Sequence, residues 1–175
     1  MERTAELTLW REATNFFACE PFGLGVATSR RWPDAGVTIV LDTTEPVMLG
    51  SFTEEERGWR SALQRASREE AASLGIPIDG DRISLSEIRE ALSSGESVLL
   101  LITLDAMLGI DVPHWVLCHG TVPGAVVIED PWVSDNIGET WVDSHLLPVH
   151  DYALDEMSLI DGARYRGAVR IGSSS

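Results

Sequence analysis

At 175 residues, with 44% apolar and 23% charged residues, the chain has the length and composition of one ordinary globular domain. Its 28 acidic residues outnumber 13 basic ones for a net charge of −15, which argues against nucleic acid and anionic membranes as partners. All 13 basic residues are arginine, so a lysine nucleophile or Schiff base is excluded.

The first predicted helix opens at Cys19-Glu20-Pro21 and runs to about Arg31; proline suits a first helical turn because its missing N–H has no partner there anyway. Gly36 to Leu41, rich in β-branched residues, predicts a strand. Thr53 with Glu56 forms a capping box, and Trp59, Leu63 and Ala66 follow at helical spacing as the apolar face of a helix that Gly75 and Pro77 end near Leu74. Ser84 with Glu87 repeats the box, Ile88, Ala91 and Leu92 form the apolar face, and Gly95 closes the helix. Strands are then expected at Ser97 to Leu104, His114 to His119, Gly124 to Glu129 and Gly167 to Ile171, the middle pair joined as a hairpin around Gly120 and Pro123. Helices followed by antiparallel strands read as an α+β fold.

No linker or repeat divides the chain, so one domain over 1–172 is expected, with a disordered tail at 173–175. Two cysteines, Cys19 and Cys118, make no disulfide framework, and Met1 to Trp10 has no apolar signal core. The longest apolar run, Val98 to Leu104, is too short to span a bilayer, so a cytoplasmic protein with reduced thiols is expected.

Thiol catalysis needs a thiolate, an imidazole and a group that orients the imidazole. Cys19 stands where a helix begins, where unpaired N–H groups and the positive end of the dipole would lower a thiol from its usual pKa of about 8.5 and line an oxyanion hole. His114 opens a strand, and Asp130 follows at the far end of the hairpin, so antiparallel pairing makes them neighbours. Each residue also has a plain reading: a buried apolar cysteine, a histidine satisfied by a carbonyl, a turn aspartate before Pro131. The glycines at 23 and 25 lack the lysine and spacing of a phosphate loop and read as close helix–sheet packing. His114, Cys118, His119, His145 and His150 have no zinc-type spacing, so no metal is expected and Cys118 reads as core. The segment from Ser134 to Leu147, together with Trp132, is either a surface excursion or a wall of the substrate cleft.

Cys19-Glu20-Pro21-Phe22-Gly23-Leu24-Gly25-Val26-Ala27 resembles the nucleophile helix of papain-like peptidases related to the bacteriocin-leader-processing (double-glycine) peptidases. Pro113-His114-Trp115-Val116 and Glu129-Asp130-Pro131 resemble that family's histidine and aspartate motifs in the same order, and Val149 to Ile171 resembles the C-terminal portion of a stand-alone branch. The resemblance implies a papain-like cysteine peptidase fold, its nucleophile helix packed on an antiparallel sheet, no cofactor, and acyl transfer through a thioester on Cys19 with His114 as base and Asp130 as its orienter. Two positions depart from the pattern: Glu20 stands where the family usually has glycine, and Ala13 where relatives often carry an oxyanion-stabilising glutamine. Asn15 is the candidate substitute donor, with Glu20, Trp115 and Trp132 as further candidate oxyanion or substrate contacts. The expected activity is hydrolysis of a peptide or amide bond, on a peptide or acyl substrate, free or carrier-bound. The alternatives are an acyltransferase, thioesterase or cyclase of specialised biosynthesis, and a catalytically silent binding module on the same fold.

Overall fold

The structure, a computed structural model, describes residues 3–15, 18–50, 52–105, 109, 112–133, 138–162 and 164–172. The tail expected at 173–175 lies outside these residues. In chain order the elements are α1 (Arg3–Ala13), β1 (Thr14–Asn15), β2 (Ala18–Cys19), α2 (Pro21–Arg31), β3 (Gly36–Leu41), α3 (Glu54–Ser73), β4 (Ile78–Asp79), α4 (Leu85–Ser93), β5 (Ser97–Thr103), β6 (Pro113–Val122), β7 (Ala125–Glu129), α5 (Trp141–Ser144), β8 (Leu147–His150), α6 (Asp151–Met157) and β9 (Gly167–Gly172). The fold is mixed α+β.

One seven-stranded sheet, in the order β4-β3-β9-β5-β6-β7-β8, carries the structure, and every pairing in it is antiparallel except β3 with β4. Strand alternation divides its side chains between two cores. Leu100, Ile102, Val116, Cys118, Val126 and Ile128 pack with Ile88 and Ala91 of α4 and Leu154 and Met157 of α6. Val37, Ile39, Leu101 and Val169 pack on the other side with Phe22 and Val26 of α2 and Ala71 of α3.

The capping boxes expected at Thr53/Glu56 and Ser84/Glu87 are both formed and start α3 and α4. Glu56 and Glu87 are held below the usual carboxylate range, chiefly by their hydrogen bonds to Thr53 and Ser84. Thr53→Ala is expected to lower stability by about 1 kcal/mol, read as a smaller denaturant midpoint with an unchanged slope.

The expected facing of α3 is reversed. The predicted apolar face of α3 points outward: Trp59 is 63% and Leu63 37% exposed, and Ala66 is exposed as well. The buried face is Arg60, Gln64, Ser67 and Ala71. Polar chemistry turns the helix. Gln64 donates to the carbonyl of Val47 and accepts from its N–H, both at 2.8 Å, and the Arg60 guanidinium lies 3.5 Å over the Phe52 ring. These contacts fix the segment after β3, which has no strand partner to satisfy its backbone.

Gly25 of α2 faces Ile39 of β3; a Cβ there would meet Ile39 Cγ1 at 2.4 Å. This close approach brings α2, and the cysteine just ahead of it, down onto the sheet. Among the described residues no helix is long and apolar enough to cross a membrane.

Candidate active site

Cys19 ends β2, pairs with Thr14 of β1, and comes one residue before the α2 cap. The cap itself is Glu20. Its carboxylate, 1% exposed, accepts from the N–H groups of Phe22 at 2.8 Å and Gly23 at 2.6 Å. The sequence expectation that these donors would face the sulfur is therefore corrected: the adjacent carboxylate takes them. Burial first, and the Glu20 charge second, push the Cys19 thiol up to about 12. The expected lowering by the helix dipole is replaced by its opposite.

His114 sits in β6 opposite Ile102 of β5. Beyond the β6–β7 hairpin the chain reaches Asp130, and the distance from His114 Nε2 to Asp130 Oδ1 is 2.6 Å with both side chains largely buried. A bulge between Cys118 and Gly120 adjusts the register on the way. The same Asp130 Oδ1 accepts from the Trp132 N–H at 2.8 Å. The aspartate therefore does both things its sequence allowed: it stabilises its own turn and it holds a histidine. Its N–H donates to Ser144 O at 3.0 Å, tying this turn to α5. The Trp132 ring stands edge-on to the imidazole, centroids 6.2 Å apart at 87°.

Trp115, which packs with the second core opposite Leu101, reaches Cys19 from the strand that carries His114. Its indole N–H donates to the Cys19 carbonyl at 2.8 Å, so the chain at Cys19 is fastened to the neighbour of His114. No hydrogen bond joins the Cys19 thiol to the His114 imidazole among the described residues. The structure thus pairs His114 with Asp130 and Trp132, and Cys19 with Trp115 and Glu20. Asn15 pairs with Ala18 in the β1–β2 hairpin, and its side chain lies outside the described residues.

A pocket of about 40 Å³ adjoins Asp130, lined by Leu104, Trp132, Glu139, Asp143, Ser144 and Leu147. Part of the polar excursion after Trp132 therefore borders the site. The larger cavity, about 480 Å³, lies by Gly36, Glu96 and Gly172, at the opposite end of β5 from the rung that holds His114. Cys118 is fully buried in the first core, while His119 turns outward to Glu129 at 3.5 Å. Glu129 also meets His145 Nδ1 at 2.5 Å, a contact that no sequence spacing marked.

Burial alone pushes Cys118 up to about 12 as well. A thiol ionises to a charged form, so the folded chain holds its protons above the ordinary thiol value where the unfolded chain releases them. Stability is expected to fall as pH rises from about 9 towards 12, and Cys19→Ala should make that decline shallower in denaturant titrations at pH 8 and pH 10.

No curated protein and no solved structure was found to match the chain. A family profile matches nearly its whole length. By that match over residues 1–172, the chain belongs to the Peptidase_C39 like family.

Proposed function

We propose that the protein is a cysteine-dependent acyl-transfer enzyme that hydrolyses a peptide or amide bond through a thioester on Cys19. Family membership implies a papain-like fold and makes a hydrolase the natural class. The observation that carries the reading is the His114–Asp130 hydrogen bond at 2.6 Å beside Trp115, whose indole holds the Cys19 carbonyl at 2.8 Å.

With Nε2 engaged by Asp130, Nδ1 is the imidazole nitrogen left for proton transfer. Cys19 Sγ attacks the carbonyl carbon as His114 Nδ1 takes the thiol proton. The tetrahedral intermediate collapses, the C–N bond breaks, and His114 returns the proton to the leaving amine. Water, deprotonated by the same imidazole, then hydrolyses the thioester and frees the acid and the thiol. Asp130 keeps the ring in the tautomer that leaves Nδ1 able to accept. Hydrogen bonds of this kind are often loose without substrate and close in the Michaelis complex, so the missing thiol–imidazole bond is compatible with turnover.

The acidic chain suits a basic or neutral peptide, or a neutral acyl chain, better than an acidic one. An amine or alcohol acceptor in place of water would make the same acyl-enzyme a transferase or cyclase. A silent binding module is favoured by one observation, the thiol pushed up to about 12 beside a buried carboxylate. Hydrolysis of a panel of basic, neutral and acidic peptides separates these readings. The enzyme cleaves basic or neutral members, Cys19→Ala cleaves none, and an added amine acceptor diverts product if transfer is the native reaction. A wild type that cleaves nothing, transfers nothing and resists alkylation at Cys19 at every pH supports the binding module.

A further inference from the structure

We infer that Glu20 is a charge brake on Cys19, holding the nucleophile as a thiol until substrate is attacked. The inference rests on the proposed role of Cys19 as nucleophile and adds how that nucleophile is controlled.

The first N–H groups of a helix are its positive end, and a sulfur beside them gains most if they stay unpaired. Here both oxygens of Glu20 are occupied with them: Oε2 with Phe22 N–H at 2.8 Å, Oε1 with Gly23 N–H at 2.6 Å. The carboxylate is buried at 1% exposure, so solvent screens its charge poorly, and it belongs to the residue bonded to Cys19. Two effects therefore act together. The dipole end that would stabilise a thiolate is neutralised, and a negative charge is placed next to the position where the sulfur would become negative. Burial of Cys19, the larger cause, leaves less water to stabilise a thiolate, and the Glu20 charge acts on top of it.

Many thiol enzymes rest as a preformed thiolate–imidazolium pair, ready for any electrophile. With the brake in place, proton loss from Cys19 belongs to the attack itself: the S–C bond forms as the S–H proton moves to His114 Nδ1. The thiol is then quiet towards oxidants and adventitious alkylators, and reactive only towards a carbonyl delivered beside the imidazole.

The test is the pH dependence of iodoacetamide alkylation at Cys19, followed by peptide mass mapping so that Cys118 is scored separately. In the wild type the rate constant should climb with pH with no plateau below pH 9. Glu20→Gln removes the charge and keeps an oxygen to accept from the helix. Glu20→Ser caps the helix by another route and is neutral. Both should bring the plateau down by at least one pH unit and raise the rate at pH 7.5 by about tenfold or more. Glu20→Asp, which keeps charge and cap, should stay close to wild type. A merely structural cap would lower the melting temperature in these variants without moving the profile, and that result overturns the inference. So does a wild-type plateau below pH 8, which requires no variant to fold. Alkylation needs neither substrate nor turnover. A wild type that shows the expected profile but cleaves and transfers nothing therefore defeats the proposed function and leaves the brake standing.

Discussion

Replacing His114 by alanine is expected to lower peptide hydrolysis by about 10²- to 10⁴-fold with little change in KM, the range that loss of a positioned acid–base group produces. The reason is specific to this site. A thiol held up at about 12 supplies almost no thiolate at neutral pH, so without the imidazole there is no route for its proton. Part of the loss should return at high pH, where hydroxide ionises Cys19 directly. Asp130 grades the same effect. Asp130→Ala leaves Nε2 without its acceptor and removes the acceptor of the Trp132 N–H, so both the ring and its aromatic neighbour lose their anchor. Asp130→Asn keeps a carbonyl oxygen that can accept from both, and should retain much more activity than the alanine variant. Rates over pH 6 to 10 for the three variants test this ordering.

The second large effect concerns the seat of α2 on the sheet. Gly25→Ala is expected to destabilise the protein by about 2 kcal/mol, although alanine is the better helix former by about 1 kcal/mol. Its Cβ would stand 2.4 Å from Ile39 Cγ1 and 2.5 Å from Cδ1, and Ile39 is fully buried with no room to turn. Either α2 lifts from the sheet or Ile39 leaves its rotamer. A lifted α2 carries Cys19 away from Trp115, so activity should fall further than stability explains. Gly58 is the control. It lies inside α3, where an added Cβ meets nothing within 4 Å. Gly58→Ala should therefore raise stability by about 0.5–1 kcal/mol. Opposite signs in thermal unfolding for two glycine-to-alanine changes in helices would isolate the packing term. Equal signs would remove Gly25 as the close-contact position.

Much of the fold was legible because its signals are local. A β-branched run marked β3 at Gly36–Leu41, two capping boxes marked the starts of α3 and α4, and a Pro at the first helical position marked α2. What stayed hidden depends on partners distant in sequence. The inward face of α3 is set by Gln64 gripping Val47 and Arg60 covering Phe52, and a pattern that counts only apolar residues points the helix the wrong way round. Helix α1 leaves Leu7 and Trp10 exposed, so it shows no apolar stripe to read. Strand β8 passes straight into α6 with His150 as the cap, a residue type that seldom signals a helix start.

The candidate site divides along the same line. His114 and Asp130 could be paired from hairpin arithmetic, since antiparallel strands bring a beginning beside an end. Glu20 could be noticed as an odd neighbour for a nucleophile, but its role as the α2 cap could not, because glutamate is not a favoured capping residue. That single substitution inverts the electrostatics expected for a cysteine at a helix start. Trp115 had no marked role beyond its place after the histidine, and the contact that gives it one crosses 96 positions of chain.

Whether Cys19 carries an acyl group during turnover is decided by intact-mass trapping with activated peptide esters, followed by mapping of the modified peptide. One acyl adduct per chain is expected on the peptide containing Cys19, absent from Cys19→Ala and formed far more slowly in His114→Ala. An adduct that persists in Cys19→Ala, or that maps to Cys118, removes Cys19 as the acyl carrier.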